Sequence, residues 1–290
     1  MLAEIILAAG CFWGVQAAFD KVNGVRETQV GYIGGQSENP TYKEVSSGKT
    51  GHAEAVKVTY DPSVVSVNEI LDVFFISHDP TTLNRQGVDK GTQYRSAIFY
   101  TTEGQRKAAE EKIKEYTPYF DDPVVTQVVP ASAFYPAEAY HQKYFEKTGV
   151  QCHVYRNEKM WKRKLSAERY GVMREQGTEK PHSGKYVVFD EDGTYRCGAC
   201  GQPLFDSSSK FATTCGWPGF DRPLKGAVKT RKDLSHGMVR TEVVCSRCGS
   251  HLGHVFKDGP TETGDRYCIN SVALDFEEKR MTPISSNQSD

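Results

Sequence analysis

The 290-residue sequence has almost no net charge, with 36 lysines and arginines against 37 aspartates and glutamates. That balance leaves no electrostatic footprint for nucleic acid or an anionic membrane surface. Long apolar runs are missing too, so no segment is expected to span a bilayer. No targeting segment is evident. Leu7-Ala8-Ala9-Gly10-Cys11 has the outline of a bacterial lipoprotein cleavage site, but it lacks a basic n-region, carries Glu4 and is too short for a signal peptide. A cytoplasmic location is therefore expected. Internal repeats and low-complexity spacers are absent, and no G-x-G-x-x-G follows a strand, which leaves no motif for a nicotinamide or flavin. Cysteine is sparse in the first half, which has only Cys11 and Cys152, and then six fall between Cys197 and Cys268. Such uneven spacing in a long chain points to metal and catalytic sulfur rather than to a secreted disulfide framework.

The length suffices for two domains, each with its own core. In the first half, Glu4 to Ala8 reads as a short apolar strand, and Val15, Ala18 and Phe19 continue at helical spacing. Strands are expected at Glu27 to Tyr32, His52 to Tyr60, Ser96 to Tyr100 and Val124 to Val129. Helices are expected from a Ser66-to-Glu69 capping box through Phe75 and from Thr102 to Tyr116. This β-α-β-β-α-β order with an extra helix predicts an α+β two-layer sandwich with a ferredoxin-like core. Helical periodicity is last seen from Trp161 to Arg174. Beyond it, Lys185 to Phe189, Thr194 to Cys197, Met238 to Cys245 and Arg266 to Leu274 read as strands, so a mainly antiparallel β domain should follow. The expected division is residues 1–155, a short linker at 156–160, a second domain at 161–282 and a polar tail at 283–290.

Cys11 is placed where a strand gives way to a helix. Unpaired N–H groups and the positive end of the helix dipole there should favour a thiolate and pull the thiol pKa down, making a nucleophile. Phe12 and Trp13 offer an apolar wall beside it. In the second half, Cys197-Gly-Ala-Cys200 and Cys245-Ser-Arg-Cys248 are two C-x-x-C knuckles at strand ends, a set suited to a closed tetrahedral zinc site. A C-x-x-C redox pair would need a thioredoxin-like β-α-β setting, which this half does not offer. Cys215 and Cys268 are left over. Period-2 geometry puts Arg266, Cys268 and Asn270 on one face, where a cation would favour the thiolate. His251 and His254 could extend the metal site, but four cysteines already complete it, and an imidazole able to pass a proton is the better use. Cys215, next to Trp217 on a loop, is either an idle thiol or a resolving one.

Gly10-Cys11-Phe12-Trp13-Gly14, Gly51-His52-Ala53-Glu54 and Gly91-Thr92-Gln93-Tyr94-Arg95-Ser96 resemble the signature stretches of A-type methionine sulfoxide reductases, over roughly residues 1 to 155. Gly177-Thr178-Glu179, Cys215-Gly216-Trp217-Pro218, His251-Leu252-Gly253-His254 and Arg266-Tyr267-Cys268-Ile269-Asn270 are similar to the B-type enzymes, over roughly 160 to 280. The resemblance implies an A–B fusion that repairs both sulfoxide epimers of methionine in proteins and peptides, S in the first half and R in the second. It implies Cys11 as nucleophile, Glu54 as acid, Tyr42, Tyr94 and Asp89 as polar contacts to the sulfoxide, and Phe12 and Trp13 around the methyl group. Cys152 would be the resolving cysteine. In the second half it implies Cys268 as nucleophile, Cys215 as resolving cysteine and His254 as proton donor. His251, Arg266 and Asn270 would assist at the substrate, and Trp217 would bound the methyl pocket. Thioredoxin or another dithiol is the implied reductant. Two departures stand out. The first half has one resolving cysteine and no glycine-rich tail, and Gly219 replaces the serine more usual after Pro218. The competing readings are a zinc-stabilised thiol redox sensor without sulfoxide turnover, and a thiol peroxidase or cysteine hydrolase at Cys11.

Overall fold

In the computed structural model, residues 1–150 and 157–279 are described. Cys152 and the tail from residue 283 lie outside them. The chain divides into two compact units, Met1–Ser166 and Ala167–Asp290.

The first unit runs β1 (Ala3–Ala9), α1 (Phe12–Phe19), β2 (Val25–Ile33), α2 (Tyr42–Ser46), β3 (Ala53–Tyr60), α3 (Val67–Ser77), a small hairpin β4 (Arg85–Gln86) and β5 (Asp89–Lys90), β6 (Ser96–Tyr100), α4 (Glu103–Tyr116), β7 (Gln127–Pro130), β8 (Phe134–Pro136), α5 (Tyr144–Thr148) and α6 (Glu158–Lys164). Its six-stranded sheet has the order β7-β6-β1-β3-β2-β8. Every neighbouring pair is antiparallel except β6 and β7. The sheet centres on β1, the most apolar strand, which is buried from Ile5 to Ala9. The Ser66 box forms as its sequence requires. Its hydroxyl accepts the Glu69 N–H at 3.2 Å and the Glu69 carboxylate accepts the Ser66 N–H at 3.1 Å, which together satisfy donors that a helix start leaves open.

The second unit contains α7 (Ala167–Met173), β9 (Gly193–Cys197), β10 (Pro203–Asp206), β11 (Lys210–Phe211), β12 (Gly219–Phe220), β13 (Val228–Asp233), β14 (Arg240–Cys245), β15 (His251–Phe256), β16 (Arg266–Ile269) and β17 (Leu274–Glu278). Two antiparallel sheets form, β10-β9-β17 and β11-β12-β16-β15-β14-β13. Their inner faces meet through Tyr195, Phe205, Phe220 and Phe276, with Phe205 stacked on Phe220 at 4.3 Å.

Three expected elements come out differently. Helical spacing from Trp161 to Arg174 is interrupted at Leu165, whose extended backbone ends α6 before α7 begins. Lys185 to Phe189 is a turn, not a strand. The Tyr186 N–H donates to the Ser271 hydroxyl and the Val187 N–H to the Gly184 carbonyl, so side-chain packing of Tyr186 and Phe189 on Tyr195 and Phe276 replaces a ladder. The strand expected over Arg266 to Leu274 splits. β16 stops at Ile269, the buried Glu179 carboxylate captures the N–H groups of Ser271 and Val272 in a tight turn, and β17 joins the other sheet.

Candidate active sites

In the first unit, β1 delivers Cys11 to the end of α1, where it is the N-cap residue. Gly10 makes the corner with φ +90°, and a Cβ there would meet the Gln86 side chain at 2.6 Å, so the hairpin β4–β5 can press against it. The corner thereby sets Cys11 within electrostatic range of Asp89 on β5 and of Glu54 on β3. Glu54 is 2% exposed, and its carboxylate accepts the Phe12 N–H at 3.1 Å.

This geometry overturns the expected lowering of the Cys11 pKa. The N–H groups of Trp13 and Gly14 do favour the thiolate, but burial, followed by the negative charge of Glu54, outweighs them and pushes the thiol up to about 12. Burial raises Glu54 to about 7, against the pull of the Phe12 N–H. Tyr42 and Tyr94 are half-buried, and both phenols are shifted upward, first by burial and then by Glu54. Cys11, Glu54, Asp89, Tyr42 and Tyr94 are therefore one electrostatically connected group.

His141, absent from the candidates read from the sequence, stands at the centre of the aromatic wall. The Trp13 indole N–H donates to its Nδ1 at 3.0 Å, and its ring lies 4.4 Å from Tyr42 and 5.2 Å from Phe12. Trp13 is also stacked on Tyr144 at 3.9 Å. Glu138 braces the neighbourhood by accepting the Tyr32 hydroxyl at 2.8 Å and the Tyr42 N–H at 2.9 Å. The signal available in the sequence was an acid, a tyrosine and a histidine close together in Glu138-Ala139-Tyr140-His141, a stretch with no strand or helix period.

In the second unit, the ladders align Arg231 with Glu242, Glu242 with His254, His254 with Cys268, and Cys268 with Gly219. Directly opposed residues share a face, so a cation, a carboxylate, an imidazole and a thiol form one row across four strands. At its end the Cys215 and Cys268 sulfurs lie 3.5 Å apart. The Cys215 thiol also donates to the Thr213 hydroxyl at 3.3 Å. Burial, then the neighbouring Cys215, push the Cys268 thiol up to about 12, while Arg266 pulls the other way. The cation acts in the expected direction but loses to burial. Arg266 is itself held by the Asp258 carboxylate at 2.8 and 2.9 Å.

The histidines are held differently. His254 Nε2 is 2.8 Å from the Asp233 carboxylate, which also accepts from Arg240. His251 is buried, with Nδ1 2.7 Å from Glu242. Asn270 lies past the end of β16. Its side-chain oxygen accepts the Glu179 N–H and its amide donates to the Leu252 carbonyl, each at 3.0 Å, so those bonds pin backbone to backbone. The Trp217 indole donates to the Glu179 carbonyl at 3.2 Å.

Away from this row, Cys197, Cys200, Cys245 and Cys248 converge with all four sulfurs within 4.8 Å of one another. Cys197 to Cys248 is 3.7 Å and Cys200 to Cys245 is 3.6 Å. No helix among the described residues is long and apolar enough to cross a membrane.

Comparison with known proteins places each half of the chain in a family. The model of the peptide methionine sulfoxide reductase family matches residues 3–170, and that of the SelR domain matches 165–278. The peptide methionine sulfoxide reductase MsrA/MsrB of Vibrio cholerae is 38% identical over an alignment covering 94% of this chain and 84% of that protein. Among solved structures, Mxr1 of Saccharomyces cerevisiae in reduced form is 37% identical, covering 53% of this chain and 89% of its own with a TM-score of 0.51. Methionine sulfoxide reductase A of Corynebacterium diphtheriae is likewise 37% identical, covering 52% of this chain and 78% of its own with a TM-score of 0.50. The chain belongs to the methionine sulfoxide reductases, as a bifunctional member with an A-type domain followed by a B-type domain.

Proposed function

We propose that each half reduces one epimer of methionine sulfoxide through a single cysteine nucleophile, S at Cys11 and R at Cys268. In the first step sulfoxide oxygen passes to the thiol, giving methionine and a cysteine sulfenic acid. Oxygen leaves sulfur only as it gains a proton. Glu54, raised to about 7, is about half protonated at neutral pH and stands beside Cys11, which suits it to supply that proton. A neutral Glu54 also removes one of the charges that raise the Cys11 thiol, so the form of Glu54 that can give a proton is the form that opposes the thiolate less. The Tyr42 and Tyr94 hydroxyls donate to the sulfoxide oxygen with Asp89 as a nearby polar contact, and Phe12 and Trp13 enclose the methyl group. His254 supplies the proton in the second half, with His251, Arg266, Asn270 and Trp217 framing the substrate.

The observation that carries the reading is the 3.5 Å approach of Cys215 to Cys268. A Cys215 thiolate attacking the Cys268 sulfenic acid forms a disulfide and, with one proton, releases water. Cys152 performs the same step on Cys11. An external dithiol, thioredoxin by family, then reduces each disulfide.

The four-cysteine cluster fits a structural Zn2+. With Zn–S bonds of about 2.3 Å a tetrahedron has edges near 3.8 Å, close to the 3.6 and 3.7 Å sulfur separations. Cys197, Cys200, Cys245 and Cys248 would hold the ion, which would tie the ends of β9 and β14 together. Turnover of separated S and R epimers of a methionine sulfoxide peptide, with dithiothreitol as reductant, tests the whole reading. Activity on both epimers supports it, and activity on neither in folded protein would favour the redox-sensor alternative.

A further inference from the structure

Glu242 has no role in the chemistry just described, yet it is the most heavily engaged carboxylate in the second unit. It is 2% exposed in the middle of β14. Arg231 grips both its oxygens, Gln176 donates to it at 3.3 Å, and His251 Nδ1 lies 2.7 Å away. An ionised carboxylate can only accept, so the Nδ1 proton is fixed on His251. That leaves Nε2 as a lone pair. It is buried and has no hydrogen-bond partner, an arrangement that a native interior rarely leaves without a purpose. The His251 ring stands edge-on to that of His254, 5.4 Å away, and His254 is directly opposite Cys268.

We propose that Glu242, clamped by Arg231, is a positioning residue that fixes the tautomer of His251, so that Nε2 accepts a hydrogen bond from an N–H of the peptide substrate or a water bound with it during R-epimer reduction. The inference rests on the assignment of R-epimer chemistry to Cys268. A protonated His251 has no lone pair to offer, so activity falls on the acid side as His251 gains its proton. Burial pushes the ring's pKa down against the pull of Glu242, with His254 and Arg231 acting in the same direction as burial. Asp233 and Arg240, which bracket His254, and Arg174, bonded to the Ser250 hydroxyl, are the remaining charges nearby.

The two partners of the clamp act on that proton with opposite sign. Glu242→Gln removes an anion that favours imidazolium, so the acid limb of kcat/KM for the R epimer moves to lower pH. Arg231→Met removes a cation that disfavours it, so the limb moves to higher pH. A displacement of one pH unit corresponds to about a tenfold change in the ratio of neutral to protonated His251 at fixed pH. The experiment uses the full chain and records pH profiles for both epimers in wild type and both variants. The expected result is opposite displacement of the R-epimer limb with an unchanged S-epimer profile. Profiles in which neither variant moves the limb, or both move it the same way, overturn the proposal. If wild type itself fails to turn over the R epimer, the fault lies in the assignment of Cys268 instead. Should Glu242→Gln fail to fold, Arg231→Met on its half-exposed strand decides by itself, and an R-epimer limb left where wild type has it refutes the proposal.

Discussion

Replacing Glu54 with glutamine should separate stability from activity in the first unit. Burial raises this carboxyl from 4.5 to about 7. A raised acid favours the folded state fully below its unfolded pKa. That advantage is lost as pH rises from about 4.5 through 7, because the unfolded chain then ionises first. At 1.36 kcal/mol per unit, the shift amounts to about 3 kcal/mol at pH 8. Glutamine has no proton to lose, and its oxygen can still accept the Phe12 N–H, although less strongly than a carboxylate by about 1 kcal/mol. The net gain is about 2 kcal/mol at pH 8, or roughly 4–8 °C in Tm for a unit of this size. At pH 4 the gain disappears. S-epimer turnover should meanwhile drop by about 10²- to 10⁴-fold with the loss of the proton donor, and R-epimer turnover should persist. Calorimetry at the two pH values and initial rates on separated epimers measure both effects. A variant that keeps S-epimer turnover would remove Glu54 from the chemistry. A variant whose Tm at pH 8 does not rise would show that burial does not penalise this carboxylate.

Cys11→Ser should abolish S-epimer turnover only, and Cys268→Ser R-epimer turnover only. Loss of both in either variant would argue for one shared site. Cys215→Ser should release a single equivalent of methionine from the R epimer with thioredoxin as reductant and then stall, and sustained turnover there would exclude Cys215 as the resolving thiol. Stripping zinc with a chelator should unfold the second unit, since a four-thiolate site contributes on the order of 10 kcal/mol to folding. R-epimer activity in protein verified as zinc-free would contradict a structural metal. Gly219→Ser would bring a Cβ to within 2.3 Å of the Thr213 methyl, and overpacking of this kind costs about 1–3 kcal/mol. Because Thr213 holds the Cys215 thiol, the variant should form the Cys215–Cys268 disulfide more slowly in single-turnover mixing, and Thr213→Ser should restore the rate. An unchanged rate in Gly219→Ser would show that Thr213 does not position Cys215.

Much of the fold was legible because it is local. β1, α3, β6 and α4 follow from apolar period and capping residues, and both C-x-x-C knuckles announce themselves by spacing. Two of the three misread elements share one cause. At Lys185 to Phe189 and after Ile269, apolar residues suited to strands are held in turns by distant groups, the Ser271 hydroxyl and the Glu179 carboxylate. A helix start likewise lowers a thiol pKa in isolation, yet at Cys11 burial and Glu54, 43 residues along the sequence, reverse the sign.

The sequence by itself determined the two-part organisation, the cysteines and the residue types around them, because motifs and periodicity are properties of neighbours in the chain. Only the tertiary structure decided which groups stand together. The row Arg231, Glu242, His254 and Cys268 exists because four strands pair in one register, and a slip of one residue would turn each strand's side chains to the opposite face. Only the tertiary structure decided the charges as well, since protonation depends on how much water and which neighbours the fold leaves around a side chain.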